Sequence, residues 1–230
     1  MREIMNLTIE CIEKLLAEDI QDLGIGSKEL FVRNDTSDKL LIVLSTHNQK
    51  NTLFAAKKIL SDFDTNILFL TDYNNSYYLE NCDDIVKTSY YSRIKKYVEV
   101  YGNDRTFIFG SSMAGYAAIK YGEVLNLHII AMNPQLSIEV SYPSAWPELR
   151  NTFNRIKYFQ DIDFRKIDNK MFLLFSDHPM DKANFNFFNV STADISMQST
   201  IHKISSKEHN FPYAERPNVI FEIIKFLELT

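Results

Sequence analysis

Met5, Ile9, Ile12, Leu16 and Ile20 recur at spacings of three and four, which puts them on one face of an α-helix. The pattern predicts a helix that ends near Gly24 or Gly26. "KELFVRN" and "KLLIVLST" then read as two strands joined by the polar turn "DTSD", a hairpin at one edge of a sheet. "NTLFAAKKILSDF" reads as a helix capped by Asn51 or Thr52, "NILFLTD" as a short apolar strand, and "YNNSYYLENCDD" as a loop. "YSRIKKYVEVYG" reads as a helix that stops at Gly102. "TFIFG" is an expected strand, "SMAGYAAIKYG" a helix and "LHIIAMN" a strand. "KMFLLFS", "DKANFNFFN", "STIHKIS" and "RPNVIFEIIKFLEL" continue as strand, helix, strand and helix.

From Lys39 onward the strands are short apolar runs without polar alternation, so both of their faces are buried. Alternating with helices, they predict an α/β architecture, a mostly parallel sheet covered on both faces. Residues 134–168 break that rhythm. The segment is irregular and aromatic, with Tyr142, Trp146, Phe153, Tyr158 and Phe159. It is too long for an ordinary connection and is expected to cap a site. The expected organisation is an N-terminal helix, residues 1–27, packed on a single domain of residues 28–230 that carries the cap insertion.

A chain of 230 residues suits one domain with a full core. The net charge of -5 and the lack of a Lys/Arg run argue against a nucleic-acid partner. Glu3, Glu10, Glu13, Glu18 and Asp19 interrupt the apolar core a signal peptide would need, and no window has the length of a membrane span. Cys11 and Cys82 have no close spacing; they read as free thiols in a reducing compartment, with no metal site. The expected location is the cytoplasm.

The candidate chemistry centres on "TFIFGSSMAGYAAIKYG". A serine hydroxyl needs an exposed position and a nearby base to act as a nucleophile. A sharp strand-to-helix turn supplies the position, provided small residues stand two before and two after the serine. Gly110 and Ala114 stand so around Ser112, and Gly115 would let the helix approach the sheet. The turn lacks the Lys-Ser/Thr pair or third glycine of phosphate and dinucleotide loops. In the order serine, acid, histidine, His209 in "SSKEHNFPY" is the candidate base and "SDHPMDKANF" supplies two candidate acids, Asp181 and Asp177. Asp181 is favoured because Asp177 comes very early in the turn; a helix cap is the other reading of Asp181. The oxyanion hole calls for two backbone N–H groups. Met113 follows the nucleophile, and Thr46 or His47 follows "KLLIVLS". His47, Tyr73 and Trp146 are candidate substrate contacts, because aromatic faces suit a sugar; ordinary packing is the other reading of them.

"FIFGSSMAGYAAIKYG", "FSDHPMDKANF" and "EHNFPY" together resemble the α/β-hydrolase superfamily over residues 28–230. Within it the chain is similar to small bacterial proteins of capsule and surface-glycan gene clusters, and to the hydrolase part of accessory-secretion proteins that modify glycans. The resemblance implies an α/β-hydrolase fold and a serine esterase or deacetylase acting on a glycan or small ester, without metal or cofactor. An O-acetyltransferase using acetyl-coenzyme A as co-substrate is the alternative, and a non-catalytic hydrolase-like protein the second. A homodimer is a possible assembly. Ser176 stands where the family has Gly before the acid, and Pro179 where the acid is expected.

Overall fold

The computed structural model describes residues 21–22, 27–48, 64–210 and 218–229. Their sheet has eight strands: β1 (Gln21–Asp22), β2 (Lys28–Val32), β3 (Leu40–Leu44), β4 (Asn66–Leu70), β5 (Thr106–Ser111), β6 (His128–Met132), β7 (Met171–Phe175) and β8 (Ser199–Lys203). The spatial order is β1-β2-β4-β3-β5-β6-β7-β8. From β4 to β8 every pairing is parallel, while β2 runs antiparallel to β1 and β4. Six α-helices are described: α1 (Ser89–Tyr101), α2 (Met113–Leu125), α3 (Ile138–Ser141), α4 (Pro147–Arg155), α5 (Pro179–Thr192) and α6 (Val219–Leu229).

The period of two along each buried strand divides the core. Leu40, Ile42 and Leu44 of β3 join the cluster that holds Ile108, Tyr116 and Phe188. Leu41 and Val43 face the other way, with Phe107, Phe109 and the α6 residues Ile220, Ile223 and Leu227. The strands thus bury both faces, the condition under which apolar runs replace alternation.

Three expectations are corrected. β2 and β3 do not form a hairpin, because β4 lies between them. The connection crosses the start of β4, and Asn66 holds it: its side chain accepts from the Asn34 N–H and donates to the carbonyls of Ser37 and Lys39. The helix expected to run to Gly24 or Gly26 does not include Gln21–Asp22, which pair with Glu29 and Lys28 instead. The edge of β2 offers backbone groups that the preceding segment satisfies. The rest of that helix, and the one expected after Asn51, lie outside the described residues. Gly122 does not end its helix either: α2 continues to Leu125, and Asn126 closes it in the left-handed conformation (φ 55°, ψ 53°). Gly122 serves packing, since a Cβ there would lie 2.3 Å from Ile129 Cγ1.

Residues 134–168 hold α3 and α4 with short 3-10 turns and no strand. Leu149 and Phe153 of α4 join the core, so the segment is anchored as well as irregular.

Candidate active site

Because β3 to β8 are parallel, the residues that follow each of them emerge at one edge of the sheet, the usual ligand edge of such folds. Ser112 stands there between β5 and α2 with φ 55° and ψ -120°. A non-glycine residue with this backbone is strained and persists only where its surroundings hold it. The Ser112 N–H donates to the Met132 carbonyl at 3.0 Å, and its carbonyl accepts from Gly115 N–H at 3.0 Å. The small neighbours have separate reasons. A Cβ on Gly110 would lie 2.0 Å from the Ala114 carbonyl oxygen; one on Gly115 would lie 3.0 Å from Pro134. Ser111 is buried, and its hydroxyl has no hydrogen-bond partner among the described residues.

His209 follows β8. Its Nε2 is 2.7 Å from Ser112 Oγ and its Nδ1 is 2.6 Å from Asp181 Oδ1. All three residues are buried. Asp181 lies in the first turn of α5, behind Pro179. Its other oxygen, Oδ2, accepts from the Ser176 hydroxyl. Asp181 does not cap the helix: His178 does, its Nδ1 accepting from Met180 N–H at 3.3 Å. Asp177 turns away from the histidine. It pairs with Lys182 at 3.2 Å and accepts from Ser205 at 3.4 Å. Of the two candidate acids only Asp181 reaches His209. Asp177 comes too early: its own N–H is held by the Ser206 carbonyl at 2.7 Å, while Asp181 sits one helical turn further on.

Four further residues complete the arrangement; Asn133, His178 and Gln135 were not singled out in the sequence, and Ser176 only as standing where the family has Gly. Asn133 donates from Nδ2 to the His209 carbonyl, and its Oδ1 accepts from Ser176 N–H at 2.8 Å. It thereby ties the ends of β6 and β7 to the histidine loop. Ser176 links Asp181 to the His178 N–H at 3.1 Å. The His178 ring lies 5.4 Å from that of His209, and burial holds its pKa below the ordinary histidine value. Gln135 donates from Nε2 to Ser112 Oγ at 3.0 Å. The available signal was position: "NPQ" directly follows the strand beside the elbow, at the same sheet edge.

Met113 opens α2, where N–H groups have no intrahelical acceptor. Thr46 and His47 follow β3 and are buried. His47 Nε2 lies 2.8 Å from Thr152 Oγ1 of α4, whose hydroxyl donates to the Glu148 carbonyl at 3.2 Å. The imidazole is therefore the donor through Nε2. Burial, reinforced by the nearby Arg155, lowers its pKa to about 4. Trp146, from the cap segment, stands between the two histidines, its ring 5.9 Å from His47 and 5.9 Å from His209. Tyr73 is not brought to this group: it is 42% exposed, and its N–H donates to Ser27 Oγ at 3.3 Å. The two tyrosines after it turn inward, with Tyr77 and Tyr78 fully buried at φ 59° each.

Chemically, this is a hydroxyl whose proton can pass to an imidazole, and an imidazole whose far nitrogen faces a buried carboxylate. His178, Asp181 and His209 bring ligand-type atoms within 4.8 Å of one another. Both ring nitrogens of His209 are already engaged, as is Nδ1 of His178, which suits proton transfer better than metal binding. Among the described residues no helix is long and apolar enough to cross a membrane.

The fold is that of the α/β-hydrolases. A capsule O-acetyltransferase of Neisseria meningitidis serogroup A is similar over 95% of this chain and 99% of its own, with TM-score 0.62 and 16% identity. The glycosylation-associated protein complex of Streptococcus agalactiae matches over 87% of this chain and 44% of that one, with TM-score 0.61 and 12% identity. A fluorophosphonate-binding serine hydrolase of Staphylococcus aureus covers 87% of this chain and 91% of its own, with TM-score 0.58 and 13% identity. No protein-family model matches the chain. No curated protein matches it by sequence.

Proposed function

We propose that the protein is a serine-dependent acyl-ester hydrolase that works through an acyl-enzyme, on an acylated glycan or a related small ester. The observation that carries this reading is the unbroken hydrogen-bonded chain from Asp181 through His209 to Ser112, ending on a residue held at positive φ. Ser112 Oγ attacks the acyl carbonyl while His209 Nε2 takes its proton. Asp181 holds the Nδ1 proton and stabilises the imidazolium that forms. The N–H groups of Met113 and Thr46 receive the oxyanion. His209 then returns its proton to the departing alcohol, and water releases the acyl group. Trp146 and His47 line the approach to Ser112.

The second reading is an O-acetyltransferase, with acetyl-coenzyme A as donor and a sugar hydroxyl in place of water. It is favoured by the end-to-end likeness to the meningococcal capsule O-acetyltransferase, a variant of which is described in complex with CoA. Fold alone does not choose between these outcomes. Against the non-catalytic reading stands the reach of Asp181 to His209 despite the unusual spacing of the acid.

The test has two stages. A fluorophosphonate probe should label the wild type and Ser111→Ala but not Ser112→Ala. An adduct mapped to Ser111, or full turnover by Ser112→Ala, would sink the assignment. Acetyl-coenzyme A is then offered with and without acetyl-free glycan. Thiol release that requires the glycan identifies a transferase, whereas acetate release from an acetylated glycan identifies the hydrolase.

A further inference from the structure

Ser112 Oγ has a second partner besides the imidazole. Gln135, fully buried, donates from Nε2 to that oxygen at 3.0 Å and to Met180 Sδ at 3.8 Å. Its Oε1 accepts from the phenol of Tyr77, which is also fully buried. A primary amide offers two donors at one end and an acceptor at the other, and here every one of these groups but the second oxygen lone pair is used.

The tyrosine fixes which way the amide points. Burial raises the Tyr77 pKa well above the ordinary value, so the phenol keeps its proton. Its hydroxyl therefore supplies a donor at the Gln135 oxygen. A reversed amide would withdraw the oxygen to which the buried Tyr77 O–H donates and turn Oε1 toward Ser112. Oε1 would then accept the serine proton and draw it from His209. With the amide as it stands, Oγ can only accept from Gln135, and its own hydrogen is directed to His209 Nε2, 2.7 Å away.

We infer that Gln135 is a catalytic residue of this site, a fixed N–H donor to the nucleophilic oxygen, and that Tyr77 is the positioning residue that sets its orientation. The inference rests on the reading of Ser112 as nucleophile. As the bond from Oγ to the acyl carbon forms, the Oγ hydrogen passes to His209 Nε2. The Gln135 hydrogen is not transferred. As the Oγ hydrogen departs, negative charge gathers on Oγ before its bond to carbon is complete, and the amide N–H stabilises it there, as it does again when the bond breaks and His209 returns the proton. Tyr77 also packs on Tyr116, Phe153 and Phe159 at ring distances of 5.6, 6.1 and 5.4 Å. The orientation of the amide is therefore set from within the core, by the loop that follows β4.

The experiment is labelling by a fluorophosphonate over a range of probe concentrations, separating the maximal rate from the half-saturating concentration. Gln135→Met keeps the length of the side chain and removes the donor. Its maximal rate should fall about 10²-fold, the scale of losing one donor to a reacting oxygen, with half-saturation unchanged. Tyr77→Phe removes one oxygen and frees the amide to reverse. Its maximal rate should fall about 10-fold, in line with one net hydrogen bond. If the Gln135 variant fails to fold, Tyr77→Phe decides alone. A packing role would lower melting temperature and leave the maximal rate of the folded protein unchanged, and that result overturns the inference. Should the wild type itself take no label at Ser112, the assignment of the nucleophile fails first, and the two failures are distinguishable.

Discussion

At the scale of single residues, the site depends on which oxygen faces which nitrogen. Asp181 offers one oxygen to His209 and the other to Ser176, so the carboxylate cannot rotate away without losing a buried partner. Asp181→Asn should reduce turnover by about 10³- to 10⁴-fold, because an amide no longer holds the imidazole in the productive tautomer. Asp177→Asn should leave turnover within about 3-fold of wild type, since that carboxylate faces Lys182 and Ser205 at the surface. Steady-state kinetics on any ester the wild type cleaves will check both. The reverse ranking would return Asp177 to candidacy. The sequence allowed either acid, because spacing along the chain fixes how far a residue lies past a strand and leaves its side-chain direction open.

At the scale of elements, the strand-to-helix turn was legible because it rests on local sterics. Gly110 sits beneath the first turn of α2, and any Cβ there meets the Ala114 carbonyl at 2.0 Å. Backbone on both sides cannot yield, so Gly110→Ala should destabilise the fold by about 3 kcal/mol, read as a lowered midpoint in urea. The fall in activity should exceed the loss of folded protein, since α2 must shift and carry Met113 with it. A wild-type urea midpoint would mean the turn is more adaptable than its packing implies. Among the described residues, the strands and helices after Lys39 were legible for a similar reason, as short apolar runs against a period of 3.6. The neighbour relations were not. β4 separates β2 from β3, and Asn66 at its start holds the β2–β3 connection from 27 to 32 residues away in sequence, an interaction that no local pattern records. Asn133 and Gln135 were missed on the same ground: their roles arise only when the ends of neighbouring strands meet.

At the scale of the whole molecule, the parallel sheet gathers side chains from the six connections that follow β3 to β8 at one edge, and two of the buried groups there respond to pH in opposite senses. Burial raises the Asp72 carboxyl from 3.8 to about 6, against the opposing hydrogen bonds from Tyr78 and Ser76. The folded state therefore prefers the proton; this contribution to stability is full below about pH 4 and is lost as pH rises through 6. His47 falls from 6.5 to about 4 through burial, so its contribution is full above 6.5 and is lost as pH falls through 4. Asp72→Asn should leave stability rising from pH 4 to 6.5, and His47→Gln should leave it falling over the same range, in urea titrations at fixed salt. The same His47 leads to the cap. Its imidazole reaches α4 through Thr152 and touches the ring of Trp146, which in turn touches His209. Residues 134–168 thus reach the serine site through a ring between two histidines as well as through Gln135. If that ring forms a wall for the acyl acceptor, Trp146→Ala should raise the acceptor KM about 10-fold or more, the order expected when a binding surface is stripped of an aromatic side chain, and leave the mass in solution unchanged. If the segment instead faces a second copy of the chain, the same substitution should shift a dimer to a monomer and spare KM. Light scattering and kinetics on one preparation separate these outcomes. An unchanged KM with a halved mass would remove Trp146 from the pocket, because a ring that walls the acceptor site and lies 5.9 Å from the His209 ring cannot be removed without changing how the acceptor is held.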